Sequence, residues 1–250
     1  MAAGKIDPIH QFEISTLVPL GNTGFGLTNS GLFMILATGL ITALMVFGVR
    51  NRELIPGRLQ SLAEMSYEFV ASTVHSTTGR EGMKFFPLVF SLFMFVLFLN
   101  MLGMLPGGFT VTSHIIITFA LALLVILTVI VVGFSKHGLH FLKLFAPSGI
   151  PIYVLPIITV IEVVSFLARP VSLSMRLFAN MMAGHIALKL FATFVVTMAG
   201  VGFFGVLGAV LPLGIAIALT AMEFLVAFIQ AYVFTILTCI YLNDALHPGH

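Results

Sequence analysis

Arg176 stands in the run RPVSLSMRLFANMMAGH, residues 169–185, inside a stretch otherwise fit for lipid. From Leu144 to Asn243 its only charged companions are Glu162, Arg169, Lys189 and Glu223, with His185 as a titratable neighbour. A guanidinium in a protein does not give up its proton. At membrane depth it costs at least about 2.5–3.5 kcal/mol, so it needs an anionic partner or a wet cavity. With only two carboxylates in the region, the sharper reading is that the main partner of Arg176 belongs to another protein. The competing reading is an internal pair with Glu162, which lies on roughly the same face if the helix is unbroken.

Other polar side chains fall at helical spacings around this arginine. Asn180 shares its face at i, i+4. Ala179, Ala183 and Ala187 make a small-residue stripe that lets a second helix approach closely, or serves ordinary packing. His185 lies on the opposite side, about 13 Å along the axis. Further on, Glu223, Gln230 and Tyr241 fall on one stripe. Polar groups strung along the membrane normal, with apolar faces between them, suit two wet paths and not one open pore. Alone, Asn100, Asn180 and Gln230 would serve as helix–helix glue. Glu223 is harder to explain so, because a carboxylate at membrane depth is costly unless it is used. His185 and Glu223 flank the glycine cluster Gly200, Gly202, Gly205 and Gly208 at similar separations. If the chain folds back there, the two meet at similar depth, as a pair able to hold or pass a proton. His137 and His140 resemble a ligand pair, but they sit beside Lys136 in a basic loop without a carboxylate, so no metal site is expected there.

The elements that must hold these groups are set by composition. The chain has 250 residues, 59% of them hydrophobic and 8% charged, with a mean hydropathy of +1.15. Soluble domains are nearer a quarter charged, so the chain reads as an integral membrane protein in a single membrane domain, residues 1–250. A net charge of +2 gives no reason to expect nucleic acid. The lone Cys239 excludes an internal disulfide and a cysteine-based metal site. Residues 1–29 read as a polar N-terminal tail, since Lys5, Asp7, His10 and Glu13 interrupt any signal-like apolar core.

Gly31–Val49, Phe85–Leu105 and Ile115–Phe134 are each long enough to cross about 30 Å of hydrocarbon as a helix. Between the first two, residues 52–84 carry eight charges, while Leu59, Leu62, Ala63, Phe69, Val70 and Val74 recur at helical spacing. That pattern predicts an interfacial amphipathic helix. The segment PGGFTVTSH reads as a short turn and SKHGLHFLKLFAPSG as a loop. Two very long apolar stretches follow, 150–199 and 203–242, each about 60–75 Å as a single helix. Each is two ordinary spans, giving seven in all, or one strongly tilted helix, giving five. In the second case Pro151, Pro156 and Pro170 would bend the first and Pro212 the second. Hydropathy leaves that choice open. Seven of the eleven Lys and Arg lie in 50–84 and 135–149, which puts those segments inside and the N-terminus outside. With five spans the C-terminus is also inside. No internal repeat is evident, which weakens an inverted-repeat transporter.

The arginine run, the later helix with Glu223 and Gln230 ending TILTCIYL, and the segment NMLGMLPGGFT together resemble subunit a of the F-type ATP synthases, especially its mitochondrial-like branch. The resemblance covers about residue 31 to the C-terminus. It implies an all-α integral membrane fold of five transmembrane helices, the last two long, tilted and wrapped against a ring of c subunits. Arg176 matches the family's essential arginine. Asn100, Asn180, His185, Glu223 and Gln230 match positions on the outer proton path, and Glu162 and Tyr241 positions at the inner one. Many bacterial members carry the acid where this chain has His185, the histidine where it has Glu223, and an aspartate where it has Gly103.

The resemblance implies a proton-translocating stator with no nucleotide chemistry of its own, and no GxxxxGK[ST] occurs. No cofactor is implied. Its partners would be the c-subunit ring, the peripheral-stalk b subunits, other synthase subunits and lipid. Its place would be a bacterial inner membrane or, alternatively, the mitochondrial inner membrane. The rivals are a secondary transporter or ion channel in which Arg176 binds an anion, a passive scaffold, and an intramembrane enzyme, for which HExxH and GxSxG are missing. In the stator reading, cysteines at Ala179, Ala183 and Ala187 crosslink to an outer helix of subunit c and stop rotation reversibly. Crosslinks confined to other helices of this chain would make the stripe internal packing.

Overall fold

The structure, a computed structural model, describes residues 12–19, 26–50, 56–105, 108–145, 153–200 and 202–247. Lys5, Asp7, His10, Arg52, Glu53 and Pro151 lie outside the described residues. Among these residues there are six α-helices: α1 (Asn29–Arg50), α2 (Arg58–Gly82), α3 (Phe86–Gly103), α4 (Ile115–His137), α5 (Leu155–Ala199) and α6 (Phe203–Leu246). Five helical segments among the described residues are long and apolar enough to cross a membrane, with α2 and α3 forming one such segment between them. The two long apolar stretches are thus one helix each, as the five-span alternative requires. At 1.5 Å per residue, the 45 residues of α5 measure about 68 Å, more than twice the hydrocarbon thickness. Such a helix stays within a bilayer only if strongly inclined or curved.

The amphipathic segment forms α2. Ala63, Val70 and Val74 are buried, while Arg58, Glu64, Glu68, Arg80 and Glu81 are exposed. The apolar stripe is shorter than its sequence pattern, since Leu59 and Leu62 face outward. Gly79, at φ +65°, breaks the helix before its last turn, a conformation that L side chains rarely adopt. Two more glycines are demanded by the backbone among the described residues: Gly138, at φ +55°, which ends α4, and Gly202, at φ +100°, which starts α6 after α5 ends. Gly205 and Gly208 are helical residues of α6, so the bend needs one glycine of the cluster in the left-handed region. Gly208 instead permits close approach: a Cβ there would lie 2.7 Å from Met198 Cε of α5.

The prolines of the long helices occupy two kinds of position. Pro156 lies in the first turn of α5, where its missing N–H has no helical acceptor to lose. Pro170 and Pro212 lie inside helices that continue through them. The segment PGGFTVTSH is more than a surface turn. Val111, Thr112 and Ser113 form a buried 3-10 turn against α3, α4 and α5. Part of the loop after α4 is likewise ordered, as a 3-10 segment, Gly138–Leu144. Ahead of α1, a two-stranded antiparallel pair, β1 (Thr16–Pro19) with β2 (Gly26–Thr28), adds a short sheet to the tail. Asn29 ties it down, donating from Nδ2 to Glu13 O at 3.0 Å and from its backbone N–H to Ser15 O at 3.0 Å.

The main core lies where α3 and α4 meet the first half of α5 and the second half of α6, around Phe93, Met94, Leu177, Phe234 and Leu242. The far ends of the long pair are bare: Val196, Phe204 and Leu211 are exposed, which is ordinary for a surface solvated by lipid tails. At the other end of the bundle Phe141 is inserted beside Gly133 of α4, and any Cβ at Gly133 would strike its ring. Gly133→Val is expected to destabilise the protein by about 1–3 kcal/mol through overpacking. Gly39→Ala, where a Cβ meets nothing within 4 Å, is the control. Thermal unfolding of both variants in one detergent checks this, and equal midpoints would refute it.

Candidate functional site

The two long helices form the frame. They run antiparallel from Gly202, and their facing sides carry polar residues at three depths. Near one end, His185 of α5 lies against Glu223 of α6, with Nδ1 3.2 Å from Oε1. Its other nitrogen, Nε2, donates to Gly103 O at the end of α3, at 2.9 Å. Glu223 is 3% exposed. Its carboxylate fits because Gly184 has no side chain; a Cβ there would collide with Oε1.

Around this pair the bundle gathers further polar groups. Asn100 of α3 is fully buried and donates from Nδ2 to Ala227 O at 3.3 Å, one turn of α6 beyond Glu223. Thr110 Oγ1 donates to the same Gly103 O at 3.4 Å. The ring of Phe12 lies 6.5 Å from that of His185. Among the described residues four buried side-chain atoms have no hydrogen-bond partner: Asn100 Oδ1, Thr112 Oγ1, His114 Nε2 and Glu223 Oε2. Leaving such an atom unsatisfied costs about 1–3 kcal/mol, so Glu223 Oε2 is open to take a proton or a donor. Burial pushes the His114 imidazole below its ordinary pKa and keeps it neutral near pH 7.

The opposite end of the pair is built from charge. Arg169 of α5 bonds Asp244 of α6, Nη1 to Oδ2, at 2.7 Å. Its guanidinium also lies 4.9 Å from the centre of the Tyr241 ring and 5.5 Å from that of Phe166. Nearby, Lys136 at the end of α4 pairs with Glu81 of α2, and His137 Nε2 donates to Leu246 O at 3.0 Å. The histidine of the basic loop therefore caps α6, while His140 is exposed. Among the described residues no group of three metal-ligating side chains occurs.

Between these ends stands Arg176. It is exposed on the outer face of α5 and makes no hydrogen bond or ion pair among the described residues. The internal pair with Glu162 does not form; Glu162 is half-buried one end away. Asn180, Ala179 and Ala183 share the exposed face, and Ala187 is half-buried further along it. Gln230 and Tyr241 point into the bundle, at 8% and 9% exposure. The structure thus brings together Asn100, His185 and Glu223 at one end and Tyr241 with Arg169 at the other. Arg176 lies between the two, with its charge within electrostatic reach of Tyr241, and Asn180 shares its exposed face. Sequence reasoning missed Asp244, which follows the end of the last apolar run by one residue, and the Gly103 carbonyl, which no side-chain pattern announces.

Comparison with known proteins now adds to this geometry. Residues 31–243 match the family described as ATP synthase A chain. The chain is 61% identical over 248 residues to ATP synthase subunit a of Rhodopseudomonas palustris (strain BisB18), covering 98% of this chain and 100% of that protein. It is 60% identical over an alignment of 252 residues to ATP synthase subunit a of Mesorhizobium japonicum, covering 100% of both. The same identity and coverage relate it to ATP synthase subunit a of Bartonella bacilliformis. The matched span covers nearly all of α1 and α6 and the whole of α5, and includes every residue named above for the polar layers except Phe12, Asp244 and Leu246, and on that extent the chain belongs to the ATP synthase A chain family.

Proposed function

We propose that this chain is the proton-translocating stator subunit of a rotary ATP synthase, with Arg176 facing the ring of c subunits. The observation that carries the reading is the bare guanidinium of Arg176 on an outer face of a membrane helix, beside Ala179 and Ala183. Such a charge is untenable against hydrocarbon and calls for a carboxylate brought by another chain. Small neighbours allow that chain to approach closely. Family membership and the bacterial relatives support the same reading.

In this mechanism a proton enters from the outer side through a path lined by Asn100, Asn180, His185, Glu223 and Gln230. It neutralises the carboxylate of a c subunit. A neutral carboxyl can face lipid, whereas an ionised one cannot do so cheaply. After nearly a full turn the proton leaves on the inner side, past Glu162 and Tyr241. Arg176 favours the ionised carboxylate as it arrives, which releases its proton. Its fixed charge also keeps protons from passing directly between the two paths. The N-terminus lies outside and the C-terminus in the cytoplasm of a bacterial cell, as the clustering of Lys and Arg near α2 and the end of α4 supports. Residues 1–250 act as one membrane domain behind the tail 1–29, held to the c ring and to peripheral-stalk b subunits.

Arg176→Ala is expected to abolish both proton-driven ATP synthesis and ATP-driven pumping in membrane vesicles while leaving a passive proton leak. Arg176→Lys fails as well, because a compact ammonium lacks the planar fork and reach of the guanidinium. ATP-driven pumping at the wild-type rate in vesicles carrying Arg176→Ala would refute the reading.

A further inference from the structure

The bond between His185 and Gly103 fixes more than a ring orientation. A carbonyl only accepts, so Nε2 must carry a hydrogen and donate it. That carbonyl is free to accept because Gly103 is the last residue of α3, where the final carbonyls lack intrahelical partners. The negative end of the α3 dipole therefore faces the imidazole. On the other side, Nδ1 meets the Glu223 carboxyl through Oε1. Thus a single proton lies on the Nδ1–Oε1 line and another is held on Nε2.

A ring that relays protons must accept one at one nitrogen and release one from the other. Here that would require breaking the bond to Gly103 and turning a bare nitrogen lone pair toward a carbonyl oxygen. Glu223 has no such obstacle. Its second oxygen, Oε2, is buried and has no hydrogen-bond partner among the described residues, on a residue only 3% exposed. Gly184 leaves space for the carboxyl and no room to spare, so the group is held at a defined position.

We propose that His185 does not relay protons: it is a two-sided donor that positions Glu223, and protons are exchanged at Glu223 Oε2. This rests on the proton-path reading above. In transit the arriving proton leaves an O–H bond of water in the outer path and forms one at Oε2; it then breaks that bond and passes on toward the carboxylate of a c subunit. The proton shared by Nδ1 and Oε1, and the one on Nε2, stay where they are. His185 is a positioning residue, and Glu223 the group that exchanges protons.

The test uses the whole complex reconstituted in vesicles. His185→Asn sets an amide where Nδ1 stands and keeps a donor to Oε1. His185→Gln reaches toward Gly103 instead, and neither amide titrates. Proton-driven ATP synthesis in His185→Asn is expected within about fivefold of wild type, the loss of one ordinary hydrogen bond. His185→Ala, His185→Gln and Glu223→Gln are expected at background. Background synthesis by His185→Asn in normally assembled complexes would overturn the proposal. A second measurement does not depend on the variants assembling: nitrogen NMR of the wild-type complex, with labelled histidine in this subunit. Nε2 of His185 is expected to bear hydrogen throughout the pH range in which synthesis runs, and a bare Nε2 there overturns the proposal. The parent reading fails by a different result, namely wild-type-like synthesis by Arg176→Ala.

Discussion

A fixed positive charge without a hydrogen bond or ion pair among the described residues is the constraint around which this molecule is arranged. Arg176 cannot neutralise itself, and hydrocarbon cannot solvate it. Other charged groups of the long helices have been given company: His185 has Glu223 and a carbonyl, and Arg169 has Asp244 and two aromatic rings. The chain thus had the means to satisfy an arginine inside its own bundle and did so seven residues earlier, at Arg169. Leaving Arg176 on the outer face is a property of the fold, since α5 turns its neighbours Leu173 and Leu177 into the core.

The long antiparallel pair makes that separation possible. Polar links near both ends hold α5 to α6, and the core of α3 and α4 backs the inner half of the pair. A helix near 68 Å long has more surface than one crossing needs. Its excess length offers an outer face to a partner while its inner face stays packed. The shorter elements have supporting roles. The end of α3 supplies the carbonyl for His185, the buried 3-10 turn closes the space behind it, and the end of α4 caps α6 through His137.

Much of this was legible in the sequence where the signal was carried by side-chain type. The three shorter spans, the amphipathic α2 and the apolar character of the long stretches followed from hydropathy and spacing. The approach of His185 to Glu223 followed from their positions on either side of the glycine cluster. The number of spans did not follow, because the same apolar run serves as two helices or one, and only the arginine motif favoured five. Proline type alone was a weak guide to position: Pro156 occupies a first turn, where no helical hydrogen bond is lost, whereas Pro170 and Pro212 lie inside helices that run through them, as the single-helix alternative requires. The PGGFTVTSH segment looked like an exposed turn because its polar side chains are typical of one. In the fold they are buried, with Ser113 bonded to Thr110 O and Thr112 left unsatisfied. Asp244 escaped notice since it follows the apolar run by one residue, and the helix continues past it to Leu246.

The spacing along α5 also explains why the two polar ends can coexist without short-circuiting. Arg169, Arg176 and His185 lie on one unbroken helix, so Arg176 stands about 10 Å from the first and about 13 Å from the second along the axis. Either distance is several times the 2.5–3.0 Å over which a proton passes between oxygen atoms. The helix turns between them, too, so His185 faces the bundle on the side opposite Arg176. In the proposed mechanism a proton at Glu223 therefore reaches the other end not along α5 but on a c-subunit carboxylate that itself moves between the two. On the same proposal a guanidinium midway, which repels protons and attracts carboxylates, lets such a carrier pass only in its ionised form. Selectivity for a moving carboxylate would then arise from one fixed charge and its offset along the helix from His185 and Glu223.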